Sequence, residues 1–363
     1  MKTLLAIVQH RKGRSPGQRF RIEHFIPYLE SRGYSIVFSN YLTEADDRIF
    51  YSSGRYFQKM KIALKCFIHR WRDLKTARNC DIVFVYREAH MLGTTFFERR
   101  FSKLPARLVF DFDDSIWLND TSDGNKKLAW MKRTGKTAEI CRYADMVTPG
   151  NEYLAEYARN YCRNVLVIPT TIDTSYHKPT IFRKNSDAVC IGWTGTSTTL
   201  KHFYTAIPYL SEIKKIFGKR VYFKVIANVT TWNQDLDVNL VSWTKENEIN
   251  DLAEFDIGIM PLPDDKWSRG KCGFKGLQCM AMGIPVVMSP VGVNTEIIEH
   301  GSNGFLANTH EEWIQYLSLL IESKTLRDNL GSAGRKTVED KYSVNAIAPL
   351  FVSAIEKLQK KEN

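Results

Sequence analysis

The chain of 363 residues lacks the patterns that place a protein across a membrane or in an oxidising compartment. No apolar run approaches the ~20 residues that span a bilayer, and the apolar run at 4–8 is too short for a signal sequence. The seven cysteines are scattered, with no CxxC pair and no Cys/His metal spacing, which is typical of reduced thiols in a cytosolic protein. We therefore expect a cytoplasmic protein, which would lie on the inner face of a membrane if it meets one.

Strand and helix patterns alternate along both halves of the chain and predict two α/β domains. An apolar strand over 4–9, an amphipathic helix over 19–30 and a strand over 35–39 form a βαβ opening. Its turn at 13–17 is not GxGxxG, so the dinucleotide fingerprint is absent. The second half repeats the alternation, with a strand over 188–193, a helix over 200–217 and a strand over 222–226. We also predict a strand over 165–168, a helical region over 311–342 and a last helix over 343–360.

Charged side chains follow several predicted strands of the first half, where the ligand crevice of a parallel sheet opens. They are Arg14, Arg19, Arg21, Arg87, Asp113 and Asp114. The arginines suit a phosphate or are solvated, and either aspartate acts in a site or caps the next helix. The Asp-x-Asp spacing of Asp111 and Asp113 also suits a divalent cation on a donor diphosphate, an interpretation that we disfavour because a diphosphate site is predicted in the second half.

That site is a glycine- and lysine-rich turn that opens a short helix after a strand at 256–260 and a loop at 261–270. Its residues include Lys271, Gly273, Lys275 and Gly276, and the next buried strand is predicted over 286–288. Free N–H groups at a helix N-terminus, with nearby ammonium groups, favour an anion such as a phosphate. The alternative is an ordinary tight turn with solvated lysines.

The formal charge of +11 is concentrated in the first half, where residues 55–107 contain 13 Lys/Arg against 4 Asp/Glu. Within 56–77, apolar residues recur at helical spacing: Phe57, Met60, Leu64, Phe67, Ile68, Trp71 and Leu74. Between them lie Lys59, Lys61, Lys65, Arg70, Arg72 and Lys75. Such a helix can lie on an anionic membrane surface, or its apolar face can belong to the domain core. No nucleic-acid-binding motif is present, and we expect no nucleic acid partner.

The segment 278–287, QCMAMGIPVV, resembles the retaining glycosyltransferases of family 4, and the resemblance continues through GSNGFL at 301–306. It implies the GT-B fold, an α/β architecture of two Rossmann-like doubly wound domains facing a cleft, with the C-terminal helix returning to the first domain. The implied domains are 1–172, 173–342 and the crossing helix 343–363. The implied reaction transfers a sugar, with retention, from a nucleotide-sugar donor to a glycan or lipid-linked acceptor in bacterial polysaccharide or glycoconjugate synthesis.

The chain departs from the family pattern at two glutamates. The second family glutamate holds the nucleotide ribose, and Gln278 stands there; the first usually contacts the donor sugar, and Gly270 stands there. At the first turn of the second half many members have an arginine and, five residues on, a lysine, both on the diphosphate. Thr196 replaces the arginine and Lys201 falls on the lysine, so the extra Lys271 or Lys275 could supply the lost charge.

The residue patterns and the resemblance together predict a set of site residues. The catalytic ones are Asp113, Asp114, Lys201 and Lys275. Donor contacts are Gly195, Thr196, Trp243, Lys271, Gly273, Phe274 and Gln278, with Trp243 either stacked on the base or in the core. Arg19 and Arg87 lie on the acceptor side. We expect neither a metal nor a cofactor. The alternative function is a catalytically degenerate scaffold or binding protein of the same fold, which the missing glutamates favour.

Overall fold

A computed structural model describes residues 2–52, 54–118, 133–180, 187–229, 232 and 235–358. The chain divides into two compact units: an N-terminal unit of Met1–Thr171 with Ile347–Asn363, and a C-terminal unit of Ile172–Ala346. The division at Ile172 lies one residue before the predicted one. Residues 181–186, in the predicted second domain, and 359–363, at the end of the predicted last helix, lie outside the described residues.

The strands of each unit form one parallel sheet. Within the described residues, five strands of the N-terminal unit have the order β2-β1-β3-β4-β5, and six strands of the C-terminal unit have the order β11-β10-β9-β6-β7-β8. In chain order the strands are β1 Lys2–Val8, β2 Tyr34–Asn40, β3 Ile82–Tyr86, β4 Arg107–Phe112, β5 Met146–Pro149, β6 Val189–Thr194, β7 Val221–Ile226, β8 Asn239–Val241, β9 Ile257–Met260, β10 Val286–Met288 and β11 Phe305–Leu306. The inner strands β3 and β6 are buried along their whole length, as expected of parallel strands that are covered on both faces.

Helices connect these strands. In chain order they are α1 Pro16–Arg21, α2 Ile26–Ser31, α3 Glu44–Phe50, α4 Tyr56–Ala77, α5 Phe96–Phe101, α6 Lys136–Tyr143, α7 Glu152–Arg159, α8 Leu200–Tyr204, α9 Ile207–Phe217, α10 Glu248–Ala253, α11 Lys266–Arg269, α12 Phe274–Ala281, α13 Asn294–Ile297, α14 His310–Glu322, α15 Lys324–Lys341 and α16 Val344–Glu356. From Ile347 onward α16 belongs to the N-terminal unit, where Phe351 stacks on Phe25 with ring centroids 4.6 Å apart.

Three sequence predictions of single elements were wrong, and proline explains each. The helix predicted over 19–30 is divided into α1 and α2, and the one over 200–217 into α8 and α9. Pro27 and Pro208 lie at the starts of α2 and α9, where the missing N–H interrupts the helical hydrogen bonds. The strand predicted over 165–168 forms one bridge, between Val147 and Val165. Pro149 has no N–H with which to continue that ladder.

Close helix packing on the second sheet depends on one glycine. A Cβ atom at Gly258 of β9 would lie 2.6 Å from the Sγ atom of Cys279 on α12. Gly258 therefore allows α12 to lie close against the sheet, which fixes the position of the helix N-terminus. The predicted loop at 261–270 also contains a turn of helix, α11, whose N-cap Asp265 accepts a hydrogen bond from the backbone N–H of Ser268.

Candidate functional site

The turn before α12 needs a glycine at its N-cap. Gly273 has a φ of +67°, and a Cβ atom there would lie 2.2 Å from Cδ1 of Ile297. Its position combines the left-handed backbone conformation with a lack of space, so any side chain would disturb the turn. The N-cap glycine gives the helix no side-chain cap of its own at this end. Its first N–H groups therefore face outward from the helix as donors, and Lys275 is its second residue, while Phe274 packs half-buried against the core.

Three predicted lysines act on one buried histidine. His202 on α8 is 2% exposed, and neither ring nitrogen has a hydrogen-bond partner within the described part of the chain. Burial, together with the positive charges of Lys275, Lys271 and Lys201, lowers the pKa of His202 to about 4. The sequence did not indicate His202 as a site residue. Burial is the larger cause, but each of the three ammonium groups also lowers this pKa, so all three lie near the same part of the C-terminal unit.

Aromatic rings support two of these lysines. Nζ of Lys275 lies 4.4 Å from the ring centroid of Trp193, and Nζ of Lys271 lies 4.9 Å from that of Trp267. Cation–π contacts of this kind favour an ammonium group held over the ring face. Trp193 is buried at the end of β6, so it offers Lys275 a fixed support.

The turn after β6 passes over the same tryptophan. A Cβ atom at Gly195 would lie 2.3 Å from Cη2 of Trp193, so only glycine lets the backbone pass here. Thr196 follows, with its N–H donating to Oγ1 of Thr199 at 3.0 Å. Thr196 is therefore part of a polar helix cap at the position where the family pattern has an arginine, and Lys201 lies one helical turn further on.

Gln278 lies in a buried polar cluster. Its Nε2 donates to Oε1 of Glu248 at 3.1 Å, and Nε1 of Trp243 donates to the same oxygen at 3.3 Å. Nε2 of His177 lies 3.4 Å from the Gln278 amide nitrogen. Gln278 and Glu248 are buried, and Trp243 packs half-buried against the core. A carboxylate thus lies beside the residue that replaces the second family glutamate, on an element 30 residues away in sequence.

In the N-terminal unit the structure brings Arg87, Asp113 and Asp114 together. The Arg87 guanidinium donates to Oδ1 of Asp113 from Nε at 2.8 Å and to Oδ2 of Asp114 from Nη2 at 2.7 Å. Tyr86 adds a hydrogen bond from its hydroxyl to Asp113 at 3.0 Å. Arg87 has a φ of +62°, a left-handed conformation that costs energy for a residue with a side chain. The cluster is half-buried at the ends of β3 and β4. The ion pairs of Arg87 with both carboxylates hold the three side chains in place.

A glycine on α1 touches this cluster. A Cβ atom at Gly17 would lie 2.4 Å from the hydroxyl oxygen of Tyr86 and 3.0 Å from Oδ2 of Asp113. The sequence contains no signal for this contact, because Gly17 belongs to a predicted turn and precedes Asp113 by 96 positions. The close approach requires the absence of a side chain at 17.

The prediction of a basic cluster at Arg14, Arg19 and Arg21 was wrong. Arg21 is fully buried and pairs with Asp111, with Nη2 to Oδ2 at 2.6 Å and Nε to Oδ1 at 3.0 Å. Arg14 pairs with Asp47 at 3.1 Å. Arg19 is buried, with its guanidinium 4.5 Å from the ring centroid of Phe20. These three cations therefore do not form one surface.

The Asp111–Arg21 pair also bears on the Asp-x-Asp pattern. Oδ1 of Asp111 accepts from Arg21, and Oδ2 accepts from both Arg21 and the hydroxyl of Thr148, the latter at 2.7 Å. Both oxygens of Asp111 are thus engaged inside the unit, whereas Asp113 pairs with Arg87. Within the described ranges, no group of three or more His, Cys, Asp or Glu side chains has a geometry that could hold a metal ion.

Parts of the chain are similar to known proteins. Residues 189–323, from β6 into α14, match the family model for group 1 glycosyl transferases. Spore coat protein SA of Bacillus subtilis is 32% identical over 83 residues, a match that covers 22% of this chain and 22% of that protein. The chain thus matches about a fifth of the length of this curated relative.

Several solved structures resemble the whole chain. Sucrose-phosphate synthase from Thermosynechococcus elongatus has a TM-score of 0.71 at 12% identity, covering 99% of both chains. HepE from Anabaena, solved with UDP and glucose, has a TM-score of 0.69 at 14% identity, covering 99% of this chain and 100% of that one. The chain has the GT-B fold. The predicted pair of Rossmann-like α/β domains is confirmed, and the segment that matches the group 1 model carries Lys201, Lys271, Lys275 and Gln278.

Proposed function

We propose that this GT-B protein is a glycosyltransferase that moves a sugar from a nucleotide-sugar donor to a glycan or lipid-linked acceptor. It would act with retention, in the cytoplasm, in bacterial polysaccharide or glycoconjugate synthesis. The observation that carries the proposal is the concentration of Lys201, Lys271 and Lys275 around His202, within the segment that matches the group 1 model. HepE, a structural neighbour, is solved with UDP and with UDP-glucose. UDP is therefore the first nucleotide to test.

In this proposal the lysines and the N-terminus of α12 bind the donor diphosphate. Cleavage of the donor bond leaves negative charge on that diphosphate, and fixed positive groups stabilise developing charge without reorganisation. Trp193 and Trp267 hold two of the ammonium groups from the apolar side. Because these groups supply the positive charge, the proposed mechanism needs no divalent metal.

Gln278 and Glu248 would bind the nucleoside. The Gln278 Nε2 donates to Glu248, so its carbonyl oxygen is left as the acceptor for a ribose hydroxyl. The pair would thereby provide the acceptor that the family obtains from its second glutamate. Glu248 also accepts from the indole N–H of Trp243, which fixes the ring that is expected next to the base.

Asp113 and Asp114 would act on the acceptor side, with Arg87 holding both carboxylates. Their position at the ends of β3 and β4 is where parallel sheets of this class bind ligands. Carboxylates fixed in this way can orient an acceptor hydroxyl through hydrogen bonds. Asp114→Asn should therefore lower turnover while leaving the affinity for UDP unchanged.

A second candidate function is a nucleotide-binding scaffold that has lost catalysis, favoured by Gly270 and Gln278 at the two glutamate positions. Release of nucleoside diphosphate from a panel of nucleotide sugars, with and without membrane lipid extract as the acceptor source, separates the two. The enzyme releases diphosphate from at least one donor, faster when acceptor is present. A scaffold binds nucleotide without turnover, and a protein that binds no nucleotide sugar contradicts both proposals.

A further inference from the structure

Helix α4, Tyr56–Ala77, differs from an ordinary surface helix because it buries charged side chains and exposes apolar ones. Its inward side carries charged residues as well as apolar ones: Arg70 is fully buried, donates to the carbonyl oxygens of Val8 and Ala89, and pairs with Asp73 at 2.7 Å. Lys59 is also buried, with Nζ donating to the carbonyl oxygen of Ser52 at 2.6 Å. The expectation that Arg70 and Lys59 belong to the cations of α4 that meet an anionic surface was therefore wrong.

The apolar stripe of the same helix faces outward. Seven of the thirteen large apolar side chains that are exposed in the described residues belong to α4, although it has only 22 residues. They are Tyr56, Phe57, Met60, Leu64, Phe67, Ile68 and Trp71, with Phe57 64% and Leu64 61% exposed. The alternative that this stripe forms the domain core is wrong. Exposed apolar side chains clustered in this way mark a surface that binds a partner or a membrane.

Cations border the exposed stripe on both sides. Lys61 and Arg72 are exposed along one edge, and Lys61 reaches over the ring of Phe57 at 4.8 Å. On the other side α5 contributes Phe96, whose ring stacks on Trp71 at 5.9 Å, and Arg100 lies 5.0 Å from the Phe96 centroid. Lys65 lies on the same edge as Lys61, where it pairs with Asp46 of α3. A protein partner of neutral chemistry would not need this border, whereas anionic headgroups around inserted apolar side chains do.

We propose that the exposed face of α4, with the adjoining end of α5, docks on an anionic lipid bilayer. The helix would lie in the plane of the interface, with Leu64 and Trp71 entering the headgroup boundary and Lys61, Arg72 and Arg100 meeting the headgroups. Among the described helices none is long and apolar enough to cross a bilayer. The proposal goes beyond sugar transfer and does not depend on it, since the surface lies wholly in the N-terminal unit.

The test is sedimentation of the full chain with phosphatidylcholine vesicles with or without 30% phosphatidylglycerol. Wild type should sediment with the anionic vesicles at low salt, sediment much less with neutral ones, and dissociate as salt rises because screening weakens the charge contribution. Each cation at such a surface contributes about fivefold to partitioning. Lys61→Gln with Arg72→Gln should therefore weaken binding roughly 25-fold, and Leu64→Asn with Trp71→Ser should abolish it.

Matched controls come from the other unit. Ile216→Asn with Leu319→Asn removes two exposed apolar side chains, and Lys219→Gln removes an exposed cation, so both variants should bind vesicles like wild type. All variants should remain folded, because the altered side chains lie at the surface. Wild type that stays in solution with anionic vesicles at low salt overturns the proposal. A dimer that separates on Leu64→Asn with Trp71→Ser, without vesicle binding, overturns it in favour of a second copy.

Discussion

Replacing Lys275 by methionine removes one positive charge from the proposed diphosphate site while keeping side-chain length. The ammonium group lies 4.4 Å from the Trp193 ring centroid and acts on His202 together with Lys271 and Lys201. A hydrogen bond to a charged group contributes about 1.5–3 kcal/mol, so Lys275→Met should weaken UDP binding roughly 10- to 100-fold. Turnover should fall by roughly 100-fold or more, because the charge is greatest on the departing diphosphate.

Titration calorimetry with UDP measures the first effect, and NMR of the histidine ring protons measures a second. Because the charge of Lys275 helps to lower the pKa of His202 to about 4, the substitution should raise that pKa. The control is Lys219→Met, which removes an exposed lysine of the same unit whose charge is not among those acting on His202. Unchanged UDP affinity together with an unchanged His202 pKa in Lys275→Met would mean that Lys275 does not bind the donor diphosphate.

The same histidine gives the direction of a pH effect. The pKa of His202 in the folded protein lies below its ordinary value of 6.5, so the unfolded state binds more protons between these values. The stability associated with neutral His202 is fully present above about pH 6.5 and is lost as the pH falls through about 4. Bound diphosphate adds negative charge near the lysines and should raise this pKa, so UDP should reduce the loss of thermal stability in acid.

Three other predictions test separate parts of the account. Gln278→Glu alone should weaken UDP binding, because two carboxylates would meet beside each other, and adding Glu248→Gln should restore it; calorimetry of the double variant checks this coupling. Arg21→Met should lower the free energy of unfolding by about 3–5 kcal/mol, since it leaves the buried Asp111 without its cation. Arg48→Met removes an exposed ion pair and should change the free energy of unfolding by less than about 1 kcal/mol; urea titrations measure both. Sugar transfer should survive EDTA; complete loss that Mn²⁺ restores would mean that the charge on the diphosphate is neutralised by a metal.

Much of the fold was predictable because its signals are local. Apolar runs such as those of β1 and β3 place the parallel strands, and the span of α4 follows from its spacing of apolar residues. The three wrong predictions of helices and strands also have a local cause. Pro27, Pro208 and Pro149 each lack the N–H group that a continuous helix or strand would need at that position. Greater weight on proline would have corrected all three.

The candidate site was predictable where its residues are adjacent in sequence, follow a predicted strand or fall on the family pattern. Lys271, Gly273 and Lys275 form one turn, so their shared location follows from spacing. Glu248 and His202 lie on other elements and reach the site through the fold, which gives no sequence signal. The orientation of α4 was likewise open, because a fully buried arginine such as Arg70 is stable only with the carbonyl and carboxylate partners that the tertiary structure supplies.

The most direct test of the account compares UDP with uridine in calorimetric titrations of the wild-type protein. If Lys201, Lys271, Lys275 and the N-terminus of α12 bind the donor diphosphate, removing both phosphates should lower the affinity by roughly 100-fold or more. The difference should also shrink as salt increases, because part of it is electrostatic. Equal affinities for UDP and uridine would mean that these groups do not bind the donor diphosphate. Binding of a different ligand at these lysines, with no binding of UDP, would mean the same.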